Sequence, residues 1–278
     1  MHPLANHLAQ LQELTLIRDE QQSAKRDHHL ERLNESIRQM TAELPRDVRQ
    51  TFVKLQKRNP IAIAPISDGN CSVCGMKLPI SLVQLVRQAE ELHSCPNCAR
   101  ILYAPQSAPR RVGQKTRRTA PRKVGIARFS SESLMVPRLA ATDKEEAIRE
   151  LAYKMESEGF VDNADLLTED ALRREAIVST AIEKGLAFPH VRGVEGGGLT
   201  LALGVSEKGI DFNAEDGSPT HVIFFIVIPT AASAFYLKLL AGLSRTFSSE
   251  KNRNAVMAET DPGKLWKTLV KVTRTKVQ

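Results

Sequence analysis

Two groups of residues in this 278-residue chain have the types and spacing to do chemistry. The first is Cys71, Cys74, Cys95 and Cys98, two Cys-x2-Cys pairs separated by twenty residues. Each Cys-x2-Cys turn puts two sulfurs on one side of a knuckle. Two such turns complete a tetrahedron around one Zn²⁺ at about 2.3 Å per sulfur. Gly75 follows the first pair, and Pro96 and Asn97 lie inside the second, which suits tight turns. Four thiolates leave no open coordination position, so a structural ion is expected and not a catalytic one. His93, two residues before Cys95, is read as a surface histidine, since four cysteines already suffice.

The second group lies in residues 167–193. It holds Arg173 and Arg174, then Ser179 and Thr180, then the run GLAFPHVR at residues 185–192. His190 follows Pro189 and is followed by Arg192 and a glycine. A histidine so placed, at the end of a short strand, is expected to be exposed and rigidly aimed. Neutral imidazole is abundant near pH 7 and nucleophilic. Arginines and hydroxyls around it suit an anion, phosphate above all. On residue types alone, a histidine near an arginine is most often a plain surface residue.

The elements that must position these groups are legible in outline. Residues 3–57 read as helical. Leu30, Leu33, Ile37, Met40 and Leu44 step by three and four, as do Leu4, Leu8 and Leu11, while Arg18, Gln22 and Lys25 interrupt the seam. Two uses of that seam stand side by side: packing on the chain's own core, or self-association and partner docking. Pro45 ends the helix and a short one restarts. Residues 60–104 form a small unit with a strand before the first cysteine pair, a helix over 79–92 and a strand at 101–103. Such a unit has little core, and a metal would supply folding energy. Residues 131–278 alternate strands at 134–139, 186–188, 199–205 and 222–228 with helices at 143–157, 165–174, 235–247 and 262–273. That pattern is a self-sufficient α/β domain.

Charge sharpens the division. The chain is 42% hydrophobic and 26% charged, with 39 Lys plus Arg against 32 Asp plus Glu, a net +7. Arg110, Arg111, Lys115, Arg117, Arg118, Arg122, Lys123 and Arg128 fall in one stretch without an acid; removing them leaves 31 basic against 32 acidic residues. The excess is local, so the rest of the chain taken together is near neutral. Residues 105–130 read as a basic flexible linker. The domains expected are therefore 1–58 helical, 59–104 zinc ribbon, 105–130 linker and 131–278 α/β. The longest apolar run, 222–229, is far below the ~18–20 residues of a spanning helix. The N-terminus lacks a hydrophobic signal core, so a cytoplasmic location with reduced thiols is expected.

Two resemblances add to this reading. LPRDVRQTFVKLQKRN, IAIAP, CSVCGMKLP and CPNCARILY, with the opening MHPLANHLAQLQELTLI, resemble bacterial C4-type zinc-ribbon proteins with an N-terminal coiled coil. That resemblance implies a helical hairpin and a ribbon over residues 1–104. The run Arg174-Glu175, Ser179-Thr180 and GLAFPHVR resembles the type 2 enzyme IIA domain of the phosphoenolpyruvate-dependent phosphotransferase system (PTS), of the fructose, mannitol and nitrogen-regulatory kind. That second resemblance implies an α/β/α sandwich with a mixed sheet over residues 131–275. The fold class expected is thus α+β multidomain. It also implies phosphorylation of His190 by the carrier HPr and transfer to an enzyme IIB, or retention as a regulatory signal. Arg174 and Arg192 would neutralise the phosphoryl oxygens and Thr180 would hydrogen-bond to the phosphate or the ring. Tyr236 departs from the family, standing where a second histidine is usual. The rival function is a nucleic-acid- or protein-binding regulator that works through the ribbon and the basic linker, with a degenerate IIA-like domain.

Overall fold

The computed structural model describes residues 2–23, 30–104, 124–194, 198–229 and 232–277. The chain divides into two compact units, one ending at residue 108 and the other beginning at 109.

The first unit opens with α1 (Pro3–Ser23), α2 (Leu30–Ala42) and α3 (Arg46–Arg58). Leu8 and Leu11 are wholly buried and Leu33 nearly so. Ile37 and Met40 pack half-buried against the same core, and His7 Nε2 lies 2.8 Å from the Met40 carbonyl. The leucine seams therefore bury apolar surface within this chain. Four short strands follow: β1 (Ile63–Ser67), β2 (Asn70–Cys71), β3 (His93–Ser94) and β4 (Ile101–Tyr103), with α4 (Ile80–Gln88) between β2 and β3. The sheet order is β2-β1-β4-β3, with β1 and β4 parallel and the outer pairs antiparallel. Asp68 and Gly69 join β1 to β2 with φ of 48° and 76°, the two positive values a tight two-residue hairpin turn requires.

Helices and ribbon share a core cluster here, where sequence reading separates them at residue 58. Leu8, Leu11 and Phe52 pack with Ala62, Ile63 and Ile101. The Gln12 side chain does the work of a neighbouring strand. Its Oε1 accepts from Ala62 N (2.6 Å) and Ile63 N (2.9 Å), and its Nε2 donates to Ile63 O (3.2 Å).

In the second unit the sheet order is β5 (Met135–Val136), β9 (Thr200–Ile210), β10 (Thr220–Pro229), β7 (Leu186–Ala187) and β6 (Ala181–Ile182). A further strand, β8 (His190–Val194), pairs with β10. β10 is antiparallel to β9 and parallel to β7 and β8. From Val222 to Pro229 every residue of β10 is buried, so both faces of this strand are covered. The cover comes from α5 (Lys144–Ser157) and α6 (Ala164–Glu175), which pack together, and from α7 (Ser233–Phe247), α8 (Glu250–Met257) and α9 (Pro262–Thr273). Asp143 caps α5, its Oδ1 accepting from Glu146 N at 2.8 Å.

Three expectations change. The strand foreseen at 134–139 shrinks to β5, because Pro137 cannot donate to a ladder. The helix α8 is an addition, and only its Val256 is buried, which leaves little apolar signal. The stretch read as linker ends early. Gly125–Arg128 is a turn of 3-10 helix, Ile126 is buried, Ser130 Oγ donates to Leu201 O (2.7 Å), and Leu201 N donates to Phe129 O (2.8 Å). Residues 105–123 of that stretch, with seven of its eight cations, lie outside the described residues, as do 195–197 of the glycine-rich turn.

Candidate functional site

The four cysteines meet at the ends of the ribbon strands. Cys71 Sγ is 3.8 Å from Cys98 Sγ and Cys74 Sγ is 3.7 Å from Cys95 Sγ; all four lie within 4.8 Å of one another. A tetrahedron with Zn–S bonds of about 2.3 Å has edges of about 3.8 Å. A disulfide would need about 2.05 Å. The residues thus fit one Zn²⁺ with no open position. His93 sits in β3, and among the described residues the cluster consists of the four cysteines alone.

Both knuckles are built alike. Gly75 N donates to Cys71 O (2.8 Å) and Cys71 N to Met76 O (2.9 Å); Ala99 N donates to Cys95 O (2.9 Å) and Cys95 N to Arg100 O (2.8 Å). The residue after each pair takes positive φ, 73° at Gly75 and 61° at Ala99. Burial pushes the Cys71 thiol up to about 12. At Cys74 burial also raises the thiol, but hydrogen bonds from the Met76 amide and Asn97 bring it down to about 6. An ion taking four thiolates therefore displaces a proton that burial holds on Cys71.

The histidine site is assembled by the end of α6 and the strands after it. Asn163 caps α6 through Leu166 N (2.9 Å). The helix ends on Arg174 and Glu175, both buried. Arg174 Nη1 donates to Val178 O at 2.8 Å. Glu175 accepts from Thr180 N at 2.9 and 3.1 Å, so it braces the Thr180 turn. Phe188 N then donates to Thr180 O (3.2 Å), and Phe188 O lies 3.0 Å from His190 Nδ1. A chain of hydrogen bonds thus links α6 to the imidazole. Pro189 has no N–H, which separates β7 from β8, yet its carbonyl accepts from Ile226 N (3.0 Å) and sets His190 opposite Ile226.

His190 is not exposed. It is 1% accessible and opens a strand, where sequence reading put it at a strand end facing solvent. The cover includes Tyr236 of α7, whose Oη is 3.1 Å from His190 Nδ1. Arg192, two residues along β8, holds its guanidinium carbon 4.9 Å from the Tyr236 ring centroid, a cation–π contact. Thr180 Oγ1 is buried without a hydrogen-bond partner among the described residues. The hydroxyl suits the oxygen of an anion.

Of the site residues named from sequence, Thr180 reaches His190 through Phe188 and Arg192 reaches it through Tyr236, while Arg174 is held by Val178 O. Sequence reasoning missed the Phe188 carbonyl, a backbone group that no residue type announces. His221 lies apart, with Nδ1 2.9 Å from Ser206 O.

The family model described as phosphoenolpyruvate-dependent sugar phosphotransferase system, EIIA 2, matches residues 128–272. That of the C4-type zinc ribbon domain matches residues 70–102. The fructose-specific EIIA component of the PTS of Haloferax volcanii is 32% identical over 114 residues, 41% of this chain and 74% of that protein. A nitrogen regulatory protein of Bradyrhizobium diazoefficiens is 28% identical over 135 residues, 49% of this chain and 88% of that protein. The fructose-specific EIIABC component of Bacillus subtilis is 29% identical over 119 residues, 43% of this chain, and the match spans only 19% of that longer protein. The crystal structure of nitrogen regulatory protein IIA-Ntr from Neisseria meningitidis aligns with a TM-score of 0.47 at 23% identity, over 51% of this chain and 97% of that one.

Proposed function

From the premise that this chain belongs to the phosphoenolpyruvate-dependent sugar phosphotransferase system EIIA 2 family, we propose that it is a phosphocarrier whose acceptor atom is His190 Nε2. The observation that carries this reading is the 3.0 Å contact between His190 Nδ1 and the Phe188 carbonyl. A carbonyl oxygen only accepts, so Nδ1 carries the proton and the lone pair lies on Nε2. The nucleophile is therefore prepared without a general base.

Phosphoryl transfer needs positioning and neutralised charge more than acid–base work. Arg174 and Arg192 supply positive charge and Thr180 Oγ1 supplies a donor. The donor protein is HPr in its phosphohistidine form. The acceptor is an enzyme IIB, or the phosphoryl group stays as a regulatory signal. The nitrogen regulatory relative and the fused zinc ribbon support the regulatory branch. No helix among the described residues is long and apolar enough to cross a membrane.

Incubation with labelled phosphoenolpyruvate, enzyme I and HPr tests the reading. Wild-type protein should take up about one acid-labile phosphoryl group, and His190→Ala none. A wild-type chain that stays unlabelled would sink the proposal.

A further inference from the structure

With His190 as acceptor, Tyr236 acquires a role that no step above uses. Its hydroxyl lies 3.1 Å from His190 Nδ1 and its ring centroid 5.0 Å from the imidazole centroid. Both side chains are 1% accessible. Among the described residues, Nδ1 thus meets two groups with different demands. The Phe188 carbonyl favours a proton on Nδ1. The Tyr236 hydroxyl can donate as well as accept, so it also satisfies a bare Nδ1.

The transfer step makes that difference matter. The Nε2 lone pair forms the new N–P bond while the N–P bond of the donor phosphohistidine breaks, its electron pair returning to the donor imidazole. His190 then carries phosphorus on Nε2, a proton on Nδ1 and a positive charge. Loss of the Nδ1 proton to water leaves an anionic phosphoramidate on a neutral ring. The protonated ring is the labile form, because it departs as neutral imidazole. The neutral ring is the durable one, and its Nδ1 lone pair calls for a donor. A tyrosine hydroxyl keeps its own proton through the neutral range, so it satisfies the lone pair without releasing the phosphoryl group. The Arg192 guanidinium over the tyrosine ring draws electron density from it and strengthens the O–H as a donor. On α6, which packs on β8, Arg174 and Glu175 are engaged by Val178 O and Thr180 N.

We propose that Tyr236 is a positioning residue that holds phosphorylated His190 with its ring neutral, so that this site retains its phosphoryl group. The inference rests on His190 being the acceptor. The test uses the full chain labelled with ¹⁵N-histidine at pH 7. It is charged by the phosphohistidine donor and, separately, by potassium phosphoramidate, which needs no partner protein. The wild-type Nδ1 shift should be that of an unprotonated ring nitrogen. Tyr236→Phe should move it toward the protonated value and shorten the phosphoryl half-life about fivefold, the weight of one hydrogen bond. A protonated Nδ1 in charged wild type overturns the inference even if the variant fails to fold. So do equal half-lives in wild type and a folded variant. Label from phosphoramidate but none from the phosphohistidine donor overturns the relay and leaves the spectrum to decide on Tyr236. Label from neither overturns both.

Discussion

Glu175 shows how much of this site depends on one buried side chain. Its carboxylate takes the Thr180 N–H, and Thr180 in turn holds Phe188, whose carbonyl orients His190. Glu175→Ala leaves that N–H buried without a partner, a loss of about 1–3 kcal/mol. The expected outcome is a lowered melting temperature together with slower labelling of His190, because the tautomer is no longer enforced. Denaturant unfolding and a labelling time course read the two effects separately. The Arg-Glu, Ser-Thr and Pro-His-x-Arg order was legible and carries the resemblance on which the proposed site rests. The burial of these residues was not legible. His190 is covered by Tyr236, forty-six residues away in sequence, and Glu175 turned to a neighbouring amide that periodicity does not reveal. Tertiary neighbours decide both matters, and local pattern carries no record of them.

Among the elements, α7 carries a second constraint besides Tyr236. An added Cβ at Gly242 would come within 2.7 Å of the Lys276 carbonyl and 3.1 Å of Val277. Gly242 therefore lets the C-terminal segment lie against the helix. Gly242→Ala should destabilise the second unit by about 1–3 kcal/mol through overpacking, against the small gain in helix propensity. A thermal melt of the variant measures this; an unchanged or higher melting temperature would count against the close approach. Elements with strong apolar runs were readable in advance, β10 and α9 most clearly. Elements held by few buried groups were not, as with α8, whose polar sequence hides its one buried anchor, Val256. The start of the second unit was misplaced for a similar reason. Gly125–Arg128 looks like linker until Ile126 is seen buried in its core.

At the scale of the whole molecule, the two units differ in what holds them together. The second has a continuous apolar core around β10. The first has two small clusters, one of which includes Cys71 and Cys95 themselves. Chelation, or Cys71→Ser, should therefore unfold residues 60–104 while the second unit keeps its own transition in calorimetry. Zinc affinity should rise with pH, since binding must expel the Cys71 proton that burial holds up to about 12. A chain that contains no zinc on metal analysis, or a chelated protein whose ribbon stays folded, would refute the assignment. The Gln12 amide carries this dependence further. It binds Ala62 and Ile63 where the ribbon begins, and so ties the first helix to a sheet that the ion maintains. The opening helix becomes a gauge of metal loading. On chelation, far-ultraviolet ellipticity would fall by more than the 9 residues of α4 can supply. Gln12→Ala would mute that excess while leaving the ion in place.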